Sequence, residues 1–434
     1  VVASRKIAGE RRYSHGDRAD GASATLMYYK GDGNFTTDQP LRAVQQGLIG
    51  RFGTLDPTDG SSSERISLSG HYGATGAHWK LSASGYAIHS RMTLWNDFTH
   101  FLDDPVNGDQ ESQNETRDTW GGQVSLALDR RFGSVDNELV IGLQARRDTA
   151  YLDRRHTRAR RVLDYCEVAQ ADRPAIPVAA INGACAADQV RLLDVGGYVQ
   201  DTTRWTPWLR TIVGLREEYY GASDHSLISG FSDSGHQTLA QPKGSIVLGP
   251  FFHTEIYLSA GRGFHSDDVR GVFGTVPLEG VPGLAGKTPF LAPARGEEMG
   301  LRTNIVPKLS VQVALFREDF QSELTYNADI GQDEASAPSR REGVEISAEY
   351  RPFRWVELNA DLAFSRARYR GSAATLANFG LGDRFIADAP TFIGSFGVLV
   401  DNLVPWFFGL QWRDLGKYPV SDGDEFPQDK GYSE

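Results

Sequence analysis

The run Val356-Glu357-Leu358-Asn359-Ala360-Asp361-Leu362-Ala363-Phe364-Ser365 changes character at every residue. Successive side chains of an extended strand point to opposite faces. Val356, Leu358, Ala360, Leu362 and Phe364 therefore form an apolar face, and Glu357, Asn359, Asp361, Ala363 and Ser365 a wet one. The same period recurs on both sides. Val344, Ile346, Ala348 and Tyr350 alternate with Glu345, Ser347 and Glu349; Leu309, Val311, Val313 and Leu315 alternate with Ser310, Gln312 and Ala314. Val124, Leu126 and Leu128 oppose Gln123, Ser125 and Asp129, and Leu139, Ile141 and Leu143 oppose Glu138 and Gln144. Many of these runs reach about 10–14 residues, longer than the ~5–6 of a globular strand and close to a tilted membrane crossing.

The connections carry a second signal. Tight turns are expected near 72–76, 131–136, 205–207, 250–253, 305–308, 351–355 and 401–404. Long polar loops are expected near 31–62, 103–116, 151–190, 221–238, 265–294, 327–338, 370–388 and from 415 onward. Such alternation collects the turns at one end and the loops at the other, as in outer-membrane barrels. Phe132, Trp205, Trp208, Phe251, Phe252, Phe353, Trp355 and Trp406 cluster at the turns, where an interfacial girdle belongs. The expected fold is all-β: a transmembrane antiparallel up-and-down barrel. About fifteen strands are expected from 22 to 414, with a partial one near 1–12.

Composition agrees. The 434 residues are 40% hydrophobic, with a mean hydropathy of −0.38. No run approaches the ~18 apolar residues of a membrane helix. Alternating strands keep mean hydropathy low even in lipid. A net charge of −11 argues against a general nucleic-acid binder. No G-x-S-x-G elbow, H-E-x-x-H or phosphate-binding loop is present, so neither an enzyme nor a cofactor is expected.

Several polar groups stand out. Cys166 and Cys185 lie in one loop, either as a local disulfide or as free thiols. Arg154, Arg155, His156, Arg158, Arg160 and Arg161 make a basic run suited to lipid phosphate or an anionic ligand, or simply an exposed cluster. Asp103, Asp104, Asp109 and Glu111 match no calcium template and read as a solvated acidic loop. Gly261-Arg262-Gly263-Phe264-His265-Ser266-Asp267-Asp268-Val269-Arg270-Gly271 leaves a strand for a long loop, and reads as a polar hinge in preference to a metal site. Glu357 and Asp361 share a strand face and read as lumen residues.

That glycine-rich segment resembles the TonB-dependent receptor family, in which a strand ending in this pattern enters an outer loop. Glu318–Leu324 and Pro338-Ser339-Arg340-Arg341-Glu342-Gly343-Val344-Glu345 are similar to the same receptors, as is Phe101–Gln110. The resemblance spans most of the chain. It implies a barrel of about 22 strands with a plugged lumen, of which this chain holds about 15–16, in one partial barrel domain over 1–434. A TonB box, a plug and an aromatic-ended closing strand are missing from it. The resemblance implies a monomer in the Gram-negative outer membrane that meets lipid and lipopolysaccharide, takes up a scarce small molecule and is driven by the inner-membrane TonB complex. The ligand would be a siderophore-type metal chelate, cobalamin or an oligosaccharide; a passive porin is the alternative. First contacts are expected from loops 151–190 and 265–294, through Arg158, Arg160, Arg161, His265, Asp267, Asp268 and Arg270.

Overall fold

A computed structural model describes residues 4–35, 39–97, 99–101, 104–163, 186–228, 230–273, 288–327, 332–403 and 405–434. Sixteen long strands follow one another among these residues: β1 (Ser4–Gly16), β2 (Gly21–Asn34), β3 (Gly60–Thr75), β4 (Trp79–Asn96), β5 (Glu111–Phe132), β6 (Val135–Arg158), β7 (Ala186–Thr206), β8 (Leu209–Ser226), β9 (Ser232–Phe251), β10 (Thr254–Ser266), β11 (Leu291–Thr303), β12 (Leu309–Phe320), β13 (Ser339–Phe353), β14 (Val356–Tyr369), β15 (Phe392–Leu403) and β16 (Trp406–Leu415). Each pairs antiparallel with the next, and β16 also pairs with Tyr432–Ser433. The result is the expected meander, with its strand count.

Register decides the faces, because residues directly opposite in a ladder share one. Leu258, Met299, Leu315, Val344, Phe364 and Phe392 form a single row across β10 to β15. Met299 is 51%, Leu315 50% and Phe364 47% exposed, so this row is an apolar belt without a protein cover. Arg302, Gln312, Ser347, Asp361, Ser395 and Arg413 form a row of opposite parity. The loops identify which face is the lumen. Helix α1 (Leu41–Gln45) belongs to the loop after β2. Helix α2 (Val269–Phe273) packs Val269, Val272 and Phe273 onto Ala150, Val190, Tyr220 and Ala222. Helix α3 (Ala373–Ala377) packs Leu376 onto Ala367 and Tyr369. All six strand residues have the wet parity, so α2 and α3 fold inward and the Val356–Phe364 set points out.

The turns obey local chemistry. Asp17 caps the β1–β2 turn by accepting from the backbone N–H groups of Ala19 and Asp20, at 2.7 and 2.8 Å. This turn was not among the expected ones, and β1 is a full strand. At the turn end, Phe353 stacks on Trp355 at 5.3 Å, and Trp208 lies 6.1 Å from Phe251. Phe252 is 86% and Trp406 79% exposed, as an interfacial girdle requires.

Further expectations need correction. The stretch 221–238 is mostly strand, with 227–231 between β8 and β9, and the expected loops 103–116 and 151–190 lose 111–116 to β5, 151–158 to β6 and 186–190 to β7. Beyond the membrane both faces of a strand meet water, so polarity there does not signal a loop. For the same reason β4 to β9 outrun the expected length, at 18–24 residues.

Candidate functional site

The inner wall of β4 to β8 and the segment 266–270 enclose a cavity of about 550 Å3 at the loop end. Its charges come from same-face pairs two residues apart on strands. Arg117 donates through Nε and Nη2 to Glu115, both at 2.8 Å. Arg146 donates to both oxygens of Asp148, at 2.7 and 3.0 Å, and Thr119 Oγ1 donates to Asp148 at 2.6 Å. Arg117 also approaches Asp148, 3.7 Å away, which joins β5 to β6. Below them Arg216 is paired with Glu218, which is 1% exposed. Tyr220, of β8, lies beside α2 and the Phe290 ring, 6.3 Å away. Charges matched in this way, with Asp148 and Glu218 buried, present fixed hydrogen-bonding groups at little reorganisation cost.

The expected site residues divide into two groups. Asp267 and Arg270 are buried (6% and 9% exposed) and line the cavity with Asp268. Arg270 donates to Asp268 through Nε at 3.0 Å and Nη2 at 2.6 Å. Burial works against the Asp268 charge, but the Arg270 guanidinium outweighs it and holds the carboxyl below the usual range. His265 is exposed on β10.

Arg158, Arg160 and Arg161 stand elsewhere, on a two-residue hairpin in which Thr157–Arg158 pairs with Arg161–Val162. Arg158 and Arg161 are exposed, and Arg158 donates to Asn107 Oδ1 at 3.1 Å. Arg160 is a structural tie: its Nε donates to the Thr58 carbonyl at 2.5 Å and its Nη2 to Asn34 Oδ1 at 2.8 Å. Its guanidinium also lies 4.5 Å from the Trp95 ring centre. The two basic and acidic groups thus do not meet in one pocket. Cys166 and Cys185 lie outside the described residues.

The acidic loop folds on itself. Asp104 accepts from the backbone of Val106 and Asn107, and Asp109 from the Asp104 N–H and Thr99 Oγ1. Glu111 takes Arg154, at 2.5 and 2.7 Å. Among the described residues no three His, Cys, Asp or Glu side chains converge as a metal site. Next to this loop, burial and then the nearby charges of Asp59 and Asp109 push Asp97 up to about 8.

A sequence model described as "TonB dependent receptor-like, beta-barrel" matches residues 9–433. The chain belongs to the TonB-dependent receptor family. It is the β-barrel part of such a receptor and a protein of the Gram-negative outer membrane. The family is one of receptors and transporters, not enzymes. Solved structures share the fold. The ferric citrate transporter FecA in its unliganded form superposes with a TM-score of 0.74 at 14% identity, over 100% of this chain and 62% of that one. The Ferric-Catecholate import receptor Fiu from K12 E. coli gives 0.70 at 14%, over 100% and 67%. The copper transporter OprC gives 0.67 at 17%, over 99% and 62%. This TonB-dependent barrel therefore spans 62% of the length of FecA. No curated protein matches the sequence.

Proposed function

We propose that this barrel serves active uptake of a scarce small molecule, a siderophore-type metal chelate, energised through TonB. The observation that carries the reading is the inward placement of segment 266–273. A loop that turns into the lumen and closes a charged cavity gives the barrel a ligand-facing floor, which an open channel does not need. The named substrates of fold neighbours, ferric citrate, ferric catecholate and copper, suit a metal complex better than cobalamin or an oligosaccharide.

Asp267, Asp268 and Arg270 are the proposed ligand contacts within the cavity; His265, Arg158 and Arg161 are proposed to meet it first from water. Cys166 and Cys185 are proposed to close one disulfide in the outer loop. A plug is proposed to fill the lumen below the cavity and to connect it to the TonB complex.

The test is uptake of radiolabelled ferric chelates by cells carrying the full-length protein, with and without a working TonB complex. Driven uptake stops when TonB is removed, and Asp268→Ala with Arg270→Ala weakens chelate binding. Uptake indifferent to TonB identifies a passive porin and overturns the proposal.

A further inference from the structure

Just above the apolar belt, the outward face carries two charged rows. The first is Glu297, Arg317, Glu342 and Arg366, set side by side by the register of β11 to β14 and alternating in sign. The second is Arg295, Asp319, Arg340 and Arg368. Alternation fails at its end, where an arginine follows an arginine.

The failure coincides with a notch in the wall. β14 runs on to Tyr369, but β15 begins at Phe392, opposite Phe364. Arg366 and Arg368 therefore pair with β13 on one side and have no long strand on the other. Segment 384–385 fills the gap: Arg368 bridges to Phe385, its guanidinium 4.1 Å from that ring centre, and Arg384 donates to the Gly371 carbonyl at 2.9 Å. A pocket of about 380 Å3 results. Five arginines line it: Arg340, Arg366, Arg368, Arg370 and Arg384, against Glu342 and Asp383. Arg340 and Arg370 both donate to Asp319, at 2.7 and 2.8 Å. Arg366 and Arg368 form no ion pair within 4.0 Å among the described residues.

Height and chemistry converge. Arg366 lies two residues beyond Phe364, roughly 7 Å along the strand, so the pocket sits at the level of lipid headgroups. Crowded guanidinium groups repel one another unless an anion is shared, and their planar donors match phosphate oxygens. We propose that this pocket takes the phosphate of an outer-leaflet lipid headgroup, with that lipid's acyl chains lying down the belt over Phe364 and Phe392. The bound lipid is a fixed component of the barrel wall at the notch, lying outside segment 384–385 where β15 falls short.

The test is native mass spectrometry of the full-length protein in detergent, titrated with diphosphorylated lipid A, with the same lipid dephosphorylated, and with inorganic phosphate. Lipid A is expected to be retained about tenfold less for each arginine lost in Arg366→Gln with Arg368→Gln. The dephosphorylated lipid should bind the native protein as weakly as lipid A binds that variant. Should the double variant not fold, Arg384→Gln, in the loop, carries the same readout. Equal retention by native and variant protein, or equal binding of dephosphorylated lipid, overturns the proposal. Inorganic phosphate binding as tightly as lipid A overturns the lipid assignment and leaves a free-anion site.

Discussion

Replacing Arg160 by alanine removes a guanidinium that fastens three segments together. It gives up hydrogen bonds to the Thr58 and Asp59 carbonyls and to Asn34 Oδ1, and the contact with Trp95. Hydrogen bonds to a charged group contribute about 1.5 kcal/mol or more each, and the ring contact roughly 0.5–1. The half-buried Thr58 and Asn34 oxygens recover water and the Asp59 carbonyl keeps the Phe35 N–H, so the net loss is about 3 kcal/mol, on the order of 100-fold in local opening. A second substitution separates backbone from side chain. Ala159 and Arg160 have φ of 50° and 65°, a left-handed pair that costs about 1–2 kcal/mol per non-glycine residue. Arg160→Gly removes the same contacts while relieving that strain, so it should open less than Arg160→Ala. Hydrogen exchange of the full-length protein reads both: amides at 34–35, 58–60 and 157–162 should lose protection, while β10 to β16 keep theirs. Protection unchanged to within about fivefold in Arg160→Ala would show that the hairpin is held by something else.

Two further outcomes follow from the fold. Leu362 points to lipid and its neighbour Asp361 to the lumen, where it accepts from Ser347 Oγ at 2.7 Å. Leu362→Arg should destabilise refolding into vesicles by about 2–4 kcal/mol and Asp361→Arg by less than about 1; equal costs would invert the assigned faces. Asp97 is raised from 3.8 to about 8 by burial and by Asp59 and Asp109. The native loop therefore holds its proton more tightly than the open one, and its docking strengthens as pH falls from about 8 toward 4. Exchange at 99–101 and 104–110, corrected for intrinsic rate, should slow between about pH 8.5 and about pH 6, and Asp97→Asn should abolish the difference. A pH response that survives in that variant rules out Asp97 as its source.

Much of the barrel was legible because lipid enforces a strict pattern. Where hydrocarbon meets one face and water the other, each residue of β14 declares its side, and the turns declare the rest. The pattern weakens where water meets both faces, which is why Gly221–Thr238 read as a loop. The cavity was illegible for a different reason. Glu115/Arg117, Arg146/Asp148 and Arg216/Glu218 are each visible as opposite charges two apart, but single strands do not reveal that Arg117 faces Asp148. Only the β5–β6 register, Arg117 opposite Ala150, places them together. The Ala159-Arg160 turn escaped notice because neither residue favours the left-handed region that two-residue hairpins usually fill with Asn or Gly.

For the proposed uptake, strand length puts candidate ligand contacts on the wall as much as on the loops. β6 has 24 residues, of which about 9–11 suffice to cross the bilayer. Its outward residues mark the exit: Ile141 and Leu143 are apolar, and Arg147, Thr149, Asp153 and Arg155 are not. More than a dozen residues of β6 therefore stand in water above the membrane, as a rigid extension of the barrel. Asp148 and Arg154 belong to that extension, as do Glu115 and Arg117 on β5. Loops can rearrange at small cost, but strands hydrogen-bonded on both sides cannot. A ligand held there meets groups whose spacing is set by the ladder, with segment 266–273 packed against them. Specificity would then reside in which charges the strands present, and access in how α2 seats against Tyr220 and Ala222.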